Sequence, residues 1–216
     1  MNSSKTDEIY NLVKQKILNK ELKPGMQLKE EYFSKKFNVS RGTLRTTLMK
    51  LENDNIIEII FNKGSYIVDP SYEDICSAYK LRIKLIDILF DEIVKQEINY
   101  HFIRKLENYI ELQSKNLKEN NLLNYIENNK KFHLEIAKLS NNKYLVEMIE
   151  KLMNINDIFL IFYNGFDDTG INDIEVIKEH KLILKYLKEK NLKKTNNAII
   201  KHIENSFQKL KKKENE

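Results

Sequence analysis

The sequence has one cysteine, two prolines and five glycines in 216 residues, and no tryptophan. The lone Cys76 cannot close an intramolecular disulfide, which excludes a stapled secreted scaffold and fits a reducing cytoplasm. Proline and glycine interrupt helices, so their scarcity points to a mainly α chain. No apolar run approaches the roughly 20 residues that cross a bilayer, so no membrane partner is expected. The opening MNSSKTDEIY carries acids and no apolar core, unlike a secretory signal. Arginine is scarce as well: only Arg41, Arg45, Arg82 and Arg104 stand among 37 basic residues. Where lysine is the default cation, an arginine marks a place suited to its planar, bidentate fork. Hydrophobic residues at 41% suffice for real cores, and a net charge of +5 does not by itself argue for nucleic acid.

What is present is unevenly distributed. Both prolines and Gly25, Gly42 and Gly64 fall within residues 1–70, while the rest of the chain has no proline. The shift predicts two domains, 1–70 and 71–216, joined near VDPSYED (68–74), where Pro70 favours an extended link and Ser71 can cap a helix. In the first domain, Ile9, Leu12, Val13 and Ile17 give helical spacing over 6–20. LKPG (22–25) is a turn. A short helix follows over 30–37, and a third over 41–53, capped by Ser40 and burying Leu44, Leu48, Met49 and Leu51. IIEIIF (56–61) and SYIVD (65–69) are strand-like runs joined by NKG (62–64), a hairpin signal. Three helices plus a β-hairpin make a winged helix-turn-helix. The second domain carries helical stripes over 72–96, 101–118, 121–139, 143–163, 172–189 and 191–211, with short polar joints. That pattern is an all-α antiparallel bundle of about six helices.

In a helix-turn-helix the second helix enters the major groove and its N-terminal residues touch bases. Arg41 and Arg45 lie one turn apart on one face at that end. Thr43, Thr46 and Thr47 add hydroxyls for phosphates or base edges. Tyr32 to Leu51 holds five basic residues and no acid. The rival is an amphipathic surface helix with solvated charges; charge segregation and the following wing make it the minor reading.

The stretch LKPGMQLKEEYFSKKFNVSRGTLRTTLMKLENDNIIEIIFNKGSYIV resembles the N-terminal domain of the GntR family of bacterial transcription regulators. The matching signals are L-x-PG-x-x-L, E-x-x-F-S-K-K-F-N-VSR, R-x-x-L-x-x-L and the wing's N-K-G-S-Y-I-V. The helical second half is similar to the FadR-like subgroup, whose effector domain is called FCD. The resemblance implies a homodimer on a palindromic double-stranded DNA operator. Arg41 would read a base edge, plausibly guanine O6 and N7. Ser40, Thr43 and Arg45 would hold base or phosphate, and Lys63 and Gly64 would set the wing tip at the minor groove. Asn55 stands where the family usually has glycine, Ile60 where it often has arginine, and Thr43 where the subgroup often has proline.

A lone helical histidine is more often a core or surface residue than a ligand, and His101, at a helix start, is expected to be exposed. Three segments differ. KKFHLEIAKLSNN (130–142), IKEHKLILKYLKEKN (177–191) and AIIKHIENSF (198–207) resemble the FCD stretches in which an Asp and three His bind a divalent metal. The resemblance therefore nominates His133, His180 and His202, with zinc, nickel or manganese as the ion. Asn129 replaces the Asp four residues before His133, on the same helical face. Its amide oxygen could ligate without adding charge, or its amide could donate to a carboxylate effector. A three-histidine metal site and a metal-free polar pocket both stay open. Arg82 stands where FCD proteins often carry a cavity arginine and would clamp an effector carboxylate; the other reading is a surface arginine paired with Asp74 or a nearby acid. Ile86 replaces the family's glutamate one turn on. Tyr79, Phe159 and Tyr163 are core by periodicity, with pocket lining as the alternative.

The function this implies is a ligand-responsive regulator, with the angle between two winged helices as its two-state element. One alternative is a metalloenzyme whose three histidines activate a water. No H-E-x-x-H, Glu-x-x-His pair or P-loop supports it. The other alternative is a DNA-binding protein that answers to no effector.

Overall fold

A computed structural model describes residues 4–93, 97–163 and 174–214, without the side chains of 159, 160, 162, 163 and 209–214. Helix α1 (Lys5–Leu18) starts at Ser4, whose hydroxyl accepts from the Asp7 amide at 3.2 Å. It buries Ile9, Val13 and Ile17, one residue per turn. Helix α2 (Glu30–Phe37) ends at Asn38, which takes the left-handed conformation that releases a helix. Helix α3 (Arg41–Asn53) starts at Ser40, which accepts from the Thr43 amide at 3.2 Å, as expected of a cap.

Strands β1 (Ile57–Ile60) and β2 (Gly64–Ile67) form the antiparallel wing in the register Ile57 to Ile67 and Ile60 to Gly64. The turn between them is Phe61, Asn62 and Lys63, one residue earlier than NKG, because Asn62 rather than a glycine supplies the positive φ of 58° inside it. The base of the wing is anchored. Leu28 donates to the Ser65 carbonyl at 2.8 Å, and Ile67 to the Met26 carbonyl at 2.9 Å.

Residues 68–71 lead to α4 (Tyr72–Ile93), capped by Ser71, which accepts from the Asp74 amide at 3.1 Å. Then come α5 (Tyr100–Lys118), α6 (Leu122–Ala137), a 3-10 turn (Lys138–Ser140), α7 (Lys143–Tyr163), α8 (Ile174–Lys188) and α9 (Leu192–Glu214). Sequential helices pack as neighbours at α5 with α6 and at α8 with α9; α4 rests on α7 and α9, and α5 on α8. The result is a mainly α protein: a winged helix-turn-helix followed by an antiparallel bundle. No described helix is long and apolar enough to cross a membrane.

Two side-chain expectations fail. Met49 is 58% exposed, not buried, because five residues beyond Leu44 it lies well off the apolar stripe. Thr47 is fully buried and its hydroxyl donates to the Thr43 carbonyl at 3.0 Å, so it is withdrawn from any outside contact. The loop holding Gly165 and Gly170, and the side chains of Phe159 and Tyr163, lie outside the described residues.

Candidate functional site

Two places in the molecule leave polar groups waiting for something. The first is the outer face of α3. Of the five cations between Tyr32 and Leu51, Lys35 pairs with Glu31 at 2.7 Å and Lys50 with Asp7 at 2.9 Å. Lys36 donates to the Tyr32 hydroxyl at 3.2 Å. Arg41 and Arg45 are exposed and have no acceptor among the described residues. They stand at the N-terminal end of α3, where no acid occupies the first turn. The partly buried Thr43 holds its hydroxyl 3.1 Å from that of exposed Ser40. Leu44, Leu48 and Leu51 fix the opposite face in the core.

The wing tip flanks this surface. Lys63 is exposed and its ammonium is free of any described acceptor, while its carbonyl accepts from Gln27 Nε2 at 2.9 Å. Gly64 has φ +102°, and a Cβ there would lie 3.2 Å from Gln27 Nε2, so the position needs glycine. Phe61, unremarked in the sequence, is 87% exposed at the same tip.

The second place is inside the bundle. His133 on α6, His180 on α8 and His202 on α9 bring their ligand atoms within 4.8 Å of one another. All three are buried, with His180 fully so. Their rings stack or tilt against each other at centroid distances of 4.7 to 5.1 Å, and Phe132 stacks on His180 at 4.4 Å. The outer nitrogens are held. Gln113 Nε2 donates to the Asn128 carbonyl at 3.2 Å, which turns its Oε1 toward His180 Nδ1 at 2.7 Å. His180 must then donate from Nδ1, leaving Nε2 as a lone pair. That Nε2 is buried with no partner. Glu179 Oε2 holds His202 Nδ1 at 2.7 Å in the same way, which points His202 Nε2 at His133 Nε2, 3.2 Å away.

Burial, followed by neighbouring charges that include His202 and Arg82, holds His133 and His180 well below the usual histidine range. Both are therefore neutral, the form that binds a metal. Tetrahedral ligation at roughly 2.0–2.1 Å sets ligand nitrogens about 3.3 Å apart, and the Nε2 atoms of His133 and His202 are 3.2 Å apart. Asn129 Oδ1 is also buried without a hydrogen bond, one turn before His133. The residues present thus fit a divalent ion, with outer-shell carboxylate and amide partners of the usual kind.

Arg82 lies in the middle of the buried stripe of α4 and is 7% exposed. Its Nε has no acceptor, and burial pulls its pKa down. The surface reading does not hold, since Arg82 is buried and no ion pair joins it to Asp74 or another acid among the described residues. Tyr79 is core, 2% exposed and packed on the Phe207 ring at 5.0 Å, and His101 is exposed. Sequence reasoning missed Gln113, Glu179 and the polar run Asn154, Asn156 and Asp157, all buried or partly buried. The signal available was polarity on the apolar face of a helix, as at Gln113 within α5.

Comparisons with known proteins agree with both halves. Residues 5–67 match the model described as bacterial regulatory proteins, gntR family, and residues 95–205 match the FCD domain. The HTH-type transcriptional repressor RspR of Escherichia coli K12 is 22% identical over 197 residues, covering 91% of this chain and 85% of that protein. The Uxu operon transcriptional regulator of the same strain is 22% identical over 220 residues, covering 94% and 85%. Among solved structures, E. coli McbR/YncC superposes with a TM-score of 0.76 at 19% identity, covering 98% of this chain and 99% of that one. A GntR regulator of Rhodococcus sp. RHA1 follows at 0.73 and 18%, covering 96% and 98%. These are regulators, and the metalloenzyme reading of the histidines falls with that kinship. The chain belongs to the GntR family of bacterial transcription regulators and carries an FCD domain behind its winged helix.

Proposed function

We propose that this protein is a cytoplasmic, ligand-responsive regulator that binds a palindromic operator as a homodimer and senses a small carboxylate inside its bundle. Residues 1–70 read DNA and residues 71–216 dimerise and sense. The observation that carries the sensing role is the set of orphaned buried atoms, Arg82 Nε, Asn129 Oδ1 and His180 Nε2. A buried polar group without a partner costs about 1–3 kcal/mol, so a site with several is built for a polar guest.

His133, His180, His202 and Asn129 are the groups that would hold a divalent ion. Three imidazoles and an amide favour zinc or nickel over manganese, which prefers carboxylate oxygen. Held by the three imidazoles, such an ion would act as a Lewis acid toward an effector oxygen. Arg82 would take the rest of the effector carboxylate as a charge-assisted, bidentate pair.

On α3, Arg41 would read a guanine edge, with Arg45, Ser40 and Thr43 on base or phosphate and Lys63 and Gly64 in the minor groove. Leu81 and Ile88 on α4 and Tyr144 and Met148 on α7 are exposed, on two helices that pack together, and exposed apolar side chains of this kind would pair two copies. An effector changes operator affinity only by binding the DNA-competent arrangement differently, and the effect is reciprocal.

The test is operator affinity, by anisotropy on DNA selected in vitro, with metal content measured on protein purified without chelator. Bound metal, and a carboxylate response lost in Arg82→Ala while apo DNA binding survives, are expected. A full response in Arg82→Ala removes the clamp. A wild-type protein whose affinity answers to no carboxylate returns the molecule to an effector-independent DNA-binding protein.

A further inference from the structure

Helix α3 buries Leu44, Thr47, Leu48 and Leu51. At 3.6 residues per turn, the positions that point most directly away from those four are Gly42, Thr46 and Met49, and all three are exposed. Arg41 and Arg45 flank this line on one side. On the other side stands Lys50, held back by Asp7 at 2.9 Å and by the Tyr10 ring, whose centroid is 4.6 Å from its ammonium. The outermost line of α3 is therefore uncharged, although two open guanidinium groups stand next to it.

That line is apolar as well. The Thr46 hydroxyl turns back along the helix and donates to the Gly42 carbonyl at 3.1 Å, so its methyl is the group left facing outward. Met49 is 58% exposed and is the large hydrophobic side chain of α3 that the core does not take. Helical side chains lean toward the N-terminus of their helix, so the Met49 thioether leans over Thr46 and toward the end that carries Arg41. A methyl and a flexible thioether thus make one apolar surface beside the arginine pair.

We propose that Thr46 and Met49 read the C5-methyl group of a thymine in the major groove, beside the base that Arg41 or Arg45 takes. The thymine methyl is the apolar group that the base edges present there, and threonine methyls are among the side-chain groups that contact it. A phosphate does not suit this line, because Met49 has no donor and the Thr46 hydroxyl is already given to Gly42. The arginines then read guanine from the flank while the methyl and thioether read thymine from the centre, so one helix face distinguishes both kinds of base pair. Thr46 acts here as an apolar contact and not as the hydroxyl donor that its sequence suggests. The inference rests on the DNA-binding reading above and names a base which that reading leaves open.

The test uses the full chain and an operator selected in vitro, with deoxyuridine replacing thymidine one position at a time. The exchange removes the methyl and leaves every hydrogen-bonding edge as it was. The wild type is expected to lose affinity about fourfold for each contacted methyl removed, the worth of one buried methyl-sized group. This measurement needs no variant, so it does not depend on any variant's folding. Thr46→Ser keeps the hydroxyl and deletes the methyl; it and Met49→Ala should bind the thymine operator more weakly and distinguish thymine from uracil less. Thr46→Val keeps a methyl and deletes the hydroxyl, and should retain the distinction. A selected operator that requires no thymine, deoxyuridine accepted at full affinity at every position, undiminished discrimination in both Thr46→Ser and Met49→Ala, or discrimination kept in Thr46→Ser and lost in Thr46→Val would each overturn the inference and leave DNA binding in place. A protein that selects no DNA sequence at all would remove the DNA-binding reading, and this inference with it.

Discussion

On α3, Arg41 and Arg45 stand in solvent without an acceptor; on α4, Arg82 lies 7% exposed with its Nε orphaned. The same fork is left open in two environments, and the environments assign different work. In water, an open guanidinium costs nothing while it waits, so the α3 surface can stay rigid and face a large polyanion. Inside the bundle an open polar group is expensive, so the cavity is stable only because the surrounding helices over-determine it. The contrast predicts that changes in the cavity cost folding stability or ligand affinity, while changes on α3 and the wing cost DNA affinity and almost no stability.

The largest effect should come from the floor of the cavity. Phe132 is fully buried and stacks on His180. Phe132→Ala is expected to lower unfolding free energy by about 3–5 kcal/mol in urea titration; a loss under about 1 kcal/mol would mean the cavity is not the rigid element the contrast requires. Next in size, Arg41→Ala should weaken specific operator binding by about 1–3 kcal/mol, with a melting temperature that stays at the wild-type value. Unchanged affinity would remove Arg41 from base readout and erase half of the comparison.

Gln113→Leu tests the cavity without opening a void. It deletes the acceptor that fixes His180 in its Nδ1–H form. Metal affinity, read by competition with a chromophoric chelator, should fall about 10–100-fold. Equal affinity in the two proteins would show that the ring is oriented by packing on Phe132 alone. The smallest effect is expected at the wing. Lys63→Ala should reduce the slope of log affinity against log salt by about one and weaken binding evenly across sequences. An unaltered slope would place the Lys63 ammonium away from phosphate.

The fold was readable because its signals are local. Ser40 and Ser71 cap the helices they precede, as a short side chain beside a free amide will do. The apolar stripes of α4 to α9 mark their inner faces without help from any partner. The exposed arginine pair of α3 was readable for the same reason, since Arg41 and Arg45 share a face through helical geometry alone. Errors arose where an outward residue looked apolar, as at Met49, or an inward one looked polar, as at Thr47. The cavity was only half legible. Motif likeness nominated His133, His180, His202, Asn129 and Arg82, but the only local sign of their supports was a polar residue on an apolar helix face, as at Gln113.

Sequence alone determined the helices, the wing, the order of the two halves and the family, because capping, periodicity and turn chemistry act within a few residues of each other. Tertiary structure alone decided three things. It set which nitrogen of His180 and His202 is turned toward the histidine cluster, through Gln113 and Glu179, which lie 67 and 23 residues from them in the chain. It moved Arg82 from a surface pair to a buried fork. It brought Lys14 of α1 to a cleft that Ile126 of α6 and Ile158 and Ile161 of α7 also line. Each depends on what a distant segment brings into contact, and the energy of a buried charge or lone pair is set by that contact.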